Sequence, residues 1–189
     1  MLRAYEVEWD VNNYQCFSWD LPQDTPAATY DALTMWGAPM AERWNPPPVF
    51  IHRPKKKRGD FWGVGMGGGR LGIAPWALEE VRMFAEMAGE LLSLPYKNQT
   101  FTVLNITECI ECIDPERSES VDYGITRRKR ITKPFFRADR MCASTLFKSA
   151  HNPLGFYCLE YSRDLEEEFK ACVEHQKLTG LQFKEVMIG

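Results

Sequence analysis

Between Thr100 and Tyr161 the chain is a succession of short apolar or aromatic runs. The connections between them are too short to hold a crossover helix, so strands formed there have to pair antiparallel. Thr100 to Asp114 (TFTVLNITECIECID) is rich in β-branched residues and predicts one long strand or a bent pair, closed by Asp114-Pro115. A polar loop then leads to Tyr123-Gly124. Ile125 to Phe136 and Ser144 to Tyr161 carry further strand-like runs, broken at Asn152-Pro153 and Gly155. Alternation over residues 2–9 predicts an opening strand, and Leu181, Phe183 and Val186 a closing one.

Two stretches follow the helical period instead. Pro75 opens the first, where Leu78, Val81, Phe84, Ala85, Ala88, Leu91 and Leu92 fall on one stripe before Pro95 ends it. Glu79 and Glu80 lie in its first turn, where the helix dipole favours negative charge. The second starts after Ser162 as N-cap, with Leu165, Phe169, Cys172, Val173 and Gln176 on the inner face and Gly180 just past its end. A shorter helix over Ala27 to Trp36 is announced by Thr25-Pro26. The expected fold class is α+β: a mostly antiparallel sheet with two main helices, about 75–92 and 163–178, packed on it. Length (189 residues) predicts a single domain. Residues 1–59 form an N-terminal portion of weaker periodicity, in which Pro46-Pro47-Pro48 forbids helix and Lys55 to Arg58 reads as a solvated loop. A chain this long buries about 70% of its unfolded surface, so it needs neither metal nor disulfide to hold a core.

Composition excludes more than it assigns. Hydrophobic residues at 44% and charged residues at 26% are those of an ordinary globular chain. A net charge of −3 gives no general reason to bind nucleic acid or an anionic membrane. Glu6, Glu8 and Asp10 interrupt the start where a secretory signal needs an apolar stretch, and no window is apolar enough to span a bilayer. The expectation is a cytoplasmic protein whose six cysteines are reduced.

Gly63 to Gly68 formally satisfies G-x-G-x-x-G, but a basic loop precedes it and the helix begins only after Pro75, so the expectation is a flexible loop rather than a nucleotide site. Cys109 and Cys112 sit in a strand-like run, without the helix N-terminus that activates a redox pair or the second ligand pair that zinc requires. They are expected to pack in the core, with a thiol or metal protein as the alternative. His52, His151 and His175 are isolated, and no nucleophile lies at a recognised spacing from a base. No catalytic residue, cofactor site or metal site is assigned.

Charge is unevenly spread. Arg127, Arg128, Lys129, Arg130, Lys133, Arg137 and Arg140 face Asp139 alone, beside Phe135 and Phe136. That stretch offers a nucleic-acid-binding alternative, against the simpler expectation of inward aromatics and an exposed basic edge. Glu160, Asp164, Glu166, Glu167 and Glu168 face Arg163 alone. Glu167 and Glu174 point away from Leu165 and Phe169 on a regular helix, forming an acidic face able to steer a basic protein.

From Asp60 onward the chain resembles a bacterial immunity-protein family of polymorphic toxin systems. Gly59-Asp60-Phe61 leads into the glycine loop, and Leu71-Gly72-Ile73 precedes the helix that closes with Gly89-Glu90-Leu91-Leu92. Phe101-Thr102-Val103-Leu104-Asn105 is similar to the family's aromatic strand, although Phe101-Thr102 replaces its usual tyrosine pair. Ile113-Asp114 with Ser118, Leu146-Phe147-Lys148 and Thr179-Gly180-Leu181-Gln182-Phe183 follow in the family's order. The resemblance covers about two thirds of the chain, residues 60–189 forming its core. It implies a cytoplasmic, non-enzymatic protein that binds and neutralises a cognate toxin or effector domain, with no cofactor, no nucleic acid and no membrane partner. The expected contacts are the acidic last helix, through Asp164, Glu167 and Glu174, and the Arg53 to Gly69 loop, through Trp62 as an aromatic on a mobile segment.

Overall fold

A computed structural model describes residues 2–65, 70–122, 129–141 and 146–189. In chain order the elements are β1 (Arg3–Trp9), β2 (Cys16–Trp19), α1 (Ala27–Ala32), β3 (Val49–His52), β4 (Phe61–Val64), β5 (Leu71–Ile73), α2 (Leu78–Ala88), β6 (Gly89–Tyr96) and β7 (Gln99–Ile106). Then come β8 (Glu119–Asp122), β9 (Lys129–Lys133), β10 (Phe135–Phe136), β11 (Leu146–Ser149), β12 (Asn152–Glu160), α3 (Phe169–His175) and β13 (Leu181–Ile188). They build a five-stranded sheet in the order β10-β13-β1-β12-β11, a six-stranded sheet in the order β3-β2-β4-β5-β7-β6, and the separate β8-β9 hairpin. Pairing is antiparallel except at β2/β4 and β10/β13, which run parallel. The α+β class is as expected, but the strands divide into two sheets rather than one.

The opening and closing strands are neighbours, with Tyr5 opposite Glu185 and Val7 opposite Phe183. Both faces of the five-stranded sheet carry buried apolar residues, and the period of two along each strand sorts them. Tyr5, Val7, Phe156 and Cys158 face the main apolar cluster, shared with Phe61, Val103 and Leu104 of the second sheet and with Phe84 and Phe169 of the helices. Ala4, Tyr157 and Leu159 face a second cluster with Phe136, Phe147, Cys112 and Ile113.

Both main helices are shorter than their periodicity suggests. Val81, Phe84, Ala85 and Ala88 form the buried stripe of α2, yet the helix stops at Ala88 and the chain enters β6 without a loop. Leu91 and Leu92, expected on the helix, are strand residues paired with Leu104 and Val103. The switch depends on Gly89, where a Cβ would stand 2.1 Å from the Asn105 carbonyl oxygen, so only glycine lets β6 close on β7. Pro95 falls in β6, an edge strand, where a missing N–H is tolerated. The second helix, expected from residue 163, spans only Phe169–His175; residues 162–168 form a turn, and Leu165 and Gln176 are exposed rather than inward. The hairpin turn between β11 and β12 falls at Ala150 and His151, just before the Asn152-Pro153 signal.

The glycine run is divided. Gly63 is part of β4, and Gly65 follows it at φ +70, its α-carbon facing the Trp19 indole so closely that a Cβ would overlap the ring. The remainder of that run (66–69), the loop at Tyr123-Gly124 with Arg127 and Arg128, and Cys142 lie outside the described residues.

Residues 33–41 cross the fold as an irregular strap held by polar side chains. Arg70 Nη1 donates to the Leu33 carbonyl at 2.6 Å, Lys148 Nζ to Met35 at 2.6 Å and Asn105 Nδ2 to Ala38 at 2.9 Å. The Glu90 carboxylate accepts from the backbone N–H groups of Met40 and Ala41 and from Asn105. Burial pushes the Glu90 carboxyl up, but these hydrogen bonds outweigh it and hold the group below the usual carboxylate range.

Candidate partner-binding surface

The segment between β12 and α3 is pinned at both ends and exposed in the middle. At its start Glu160 is 6% exposed, accepting from the Tyr5 hydroxyl and pairing with Lys170 Nζ at 3.0 Å. At its end Phe169 is 1% exposed and meets Phe61, Phe84 and Phe183 at centroid distances of 6.0 to 6.3 Å. Residues 161–167 between these anchors all face solvent.

The turn is ordered by Glu168, 3% exposed. One carboxylate oxygen accepts from the N–H groups of Tyr161 (2.9 Å) and Ser162 (2.7 Å), the other from Arg163 (2.9 Å). Three backbone donors on one carboxylate hold the turn in which Arg163 takes the left-handed region (φ 67), a conformation uncommon for a non-glycine residue. Burial pushes the Glu168 carboxyl up; the donors from Ser162, Tyr161 and Arg163 prevail and hold it low, so it is ionised at neutral pH. Asp164 closes the next turn by accepting from the Glu166 N–H at 2.8 Å. What this framework presents is Asp164, Glu166 and Glu167 beside two exposed apolar groups, Tyr161 at 46% and Leu165 at 42%.

The residues expected to contact a partner separate here. Asp164 and Glu167 lie on the exposed turn. Glu174 is on α3 and already committed, at 2.6 Å from Arg163 Nη2 and 2.8 Å from Lys170 Nζ, so it braces the turn rather than offering free charge. Burial pushes the Lys170 ammonium down, but Glu174 and Glu160 overcome this and hold it above its ordinary value. Trp62 corrects the expectation of a mobile contact aromatic. It is 1% exposed within β4, stacked on Phe17 at 4.7 Å, with Nε1 donating to the Gly59 carbonyl at 2.6 Å. Sequence reasoning missed Glu168 as the organiser, because in a helical reading it is one more surface acid. It also missed Trp76, which is 45% exposed.

The other constellations resolve as follows. Phe135 and Phe136 are inward, at 8% and 0% exposure. Lys133 pairs with Glu119 at 2.8 Å, and Arg137 and Arg140 share Asp139, so much of the described basic stretch is neutralised locally. Cys112 is buried, but Cys109, expected in the core, is exposed and bridges to Lys148 through its backbone. Partial burial and the Glu111 carboxylate push the Cys109 thiol up, the reverse of an activated thiolate. Among the described residues no three His, Cys, Asp or Glu side chains converge as a metal site requires, and no helix is long and apolar enough to cross a membrane. Comparison with family models returns no match, and comparison with curated proteins returns none either.

Proposed function

We propose that this chain is a cytoplasmic immunity protein that binds and neutralises a cognate toxin or effector domain, without catalysis or cofactor, and that the 161–167 turn is a contact surface. The order of motifs from Asp60 to Phe183 suggests the family. The observation that carries the site is the Glu168-centred turn: acids and apolar groups held outward on a backbone that is already ordered. An ordered loop loses little conformational entropy on binding, and acids beside exposed apolar groups suit a basic protein surface. Tyr161 is a residue type from which contact hot spots are made and Leu165 adds apolar area beside it, within a footprint of about 800 Å² per partner for a standard interface.

The test is co-expression of the full chain with the product of the neighbouring gene, using the triple variant Asp164→Lys/Glu166→Lys/Glu167→Lys. Glu174 is left alone because it braces the turn. The wild-type chain protects growth and co-purifies with the toxin domain. The variant, folded by circular dichroism, binds at least about tenfold more weakly, the scale of a lost charge complementarity. Undiminished protection by the variant refutes the turn as the contact; no protection by the wild type refutes the immunity reading.

A further inference from the structure

A second charged surface lies on the β3–β4 connection. Arg53, Lys55, Lys56, Lys57 and Arg58 follow one another there, and among the described residues none of the five forms an ion pair with a carboxylate. This differs from Lys133, Arg137 and Arg140, which pair with Glu119 or Asp139. The loop is also ordered. Gln15 N–H donates to the Lys57 carbonyl at 2.9 Å, Lys57 N–H to Asn13 at 3.1 Å and Gln15 Nε2 to Pro54 at 2.7 Å. Arg53 and Lys56 donate to the Val11 carbonyl at the surface, at 3.2 and 3.0 Å. Lys55, Lys57 and Arg58 face solvent, as Arg53 does.

Arg58 extends this surface across the fold. Its guanidinium stands 4.3 Å above the exposed Trp76 ring and donates to Gln99 Oε1 at 2.7 Å, which joins the loop to the β6–β7 hairpin. There Lys97, in the left-handed region at φ 53, places its ammonium 5.3 Å from the Tyr96 ring. The neighbouring carboxylates are engaged elsewhere: Asp60 accepts from Trp76 Nε1, Thr179 N–H and Thr179 Oγ1, each at 2.7 Å, and Asp10 from Asn12 and Asn13.

We infer that this ordered basic surface, Lys55, Lys57 and Arg58 with Trp76 and Lys97, docks an acidic segment of a protein partner. The inference rests on the proposed function only in taking the chain to be a protein-binding one. A protein fits better than a nucleic acid because of the rings. Bases stack on open aromatic faces. Trp76 already lies under Arg58 with Phe101 against it at 6.0 Å, and Tyr96 is met by Lys97, Phe17 and Phe101. An exposed tryptophan whose N–H is held by Asp60, with an arginine stacked on it that keeps further N–H donors free for a carboxylate, is instead the kind of pair that proteins bury at contact hot spots. Placement agrees with one partner spanning both surfaces. Asp60 ties the end of the basic loop to the segment leaving α3, whose seven residues span about 10 Å, and the acidic turn lies at the other end of that helix.

The experiment is fluorescence anisotropy of the full chain with a labelled glutamate-rich peptide free of aromatic residues, beside a labelled oligothymidylate of equal charge. The expected result is saturable peptide binding at low ionic strength that weakens as salt rises. Lys55→Glu/Lys57→Glu weakens it at least about tenfold while Asp164→Lys/Glu166→Lys/Glu167→Lys does not, since like charge at the loop repels the peptide. No peptide binding by the wild type, or equal binding by the loop variant, overturns the inference. Oligothymidylate binding as tight as the peptide overturns it in favour of a nucleic acid. Failure of growth protection with peptide binding intact removes the immunity reading and leaves this surface standing.

Discussion

Replacing Lys148 by Met tests whether the strap over residues 33–41 is held by an amine that burial drives towards neutrality. Lys148 is 1% exposed, donates to the Met35 carbonyl at 2.6 Å and stands 5.5 Å from the Phe156 ring centroid. Burial pushes its pKa down to about 7; the Arg70 guanidinium adds to this and Cys109 opposes it. In the unfolded chain the amine titrates near its ordinary value of about 10.4. The folded pKa therefore lies below the unfolded one, and between them the unfolded chain holds a proton that the folded chain does not. Stability then rises with pH across that window, by about 2 kcal/mol between pH 7 and pH 9 for this one group. Below pH 7 the amine is charged in both states and its contribution is flat. Lys148→Met removes the titration, and it leaves the Met35 carbonyl without this donor at a cost of about 1–3 kcal/mol. The assay is urea unfolding followed by tryptophan fluorescence, for both proteins, from pH 6 to pH 9. The expected result is a wild-type curve that climbs relative to the variant above pH 7. A difference that is constant across the range, or that falls, refutes the reasoning.

Glu168→Ala removes the acceptor for three backbone donors of the acidic turn, and the expected loss is about 3 kcal/mol, or about 9 °C in Tm by calorimetry. Because the folded Glu168 pKa is depressed, its contribution is present above the unfolded carboxylate pKa and disappears as pH falls through the folded value. A variant with unchanged Tm and unchanged resistance of residues 161–167 to protease would show that the turn needs no such organiser. Trp62→Ala is expected to cost about 4 kcal/mol in chemical denaturation, as for other large-to-small core replacements. Unchanged stability there would return Trp62 to the surface.

What could be read from the residues depended on how local the cause was. The opening and closing strands and the start of α1 follow from alternation and from Thr25-Pro26, which act within a few residues, although α1 ends at Ala32 rather than Trp36. The buried face of α2 was legible because Val81, Phe84, Ala85 and Ala88 keep the helical period. Its end was not, since Leu91 and Leu92 satisfy a helix and a strand alike and only the approach of Gly89 to Asn105 decides between them. That Asp164 and Glu167 are exposed acids is legible from residue type alone. The role of Glu168 is not, because an acid that caps three N–H groups and an acid in water have the same sequence signature.

By itself, then, the sequence determined an α+β chain with a net charge near neutrality, strands that pair mostly antiparallel, and an acidic and a basic segment of opposite sign. Those are consequences of residue type and short-range spacing. Tertiary structure alone decided which charges are available. It buried Glu160 and Glu168 and committed Glu174 to Arg163. It also left Lys55, Lys57 and Arg58 on an ordered loop without carboxylate partners among the described residues. The physical reason is that the free charge of a side chain depends on which groups lie within a few ångströms. Residues as distant in sequence as Tyr5 and Glu160 set that, and no window along the chain contains them both.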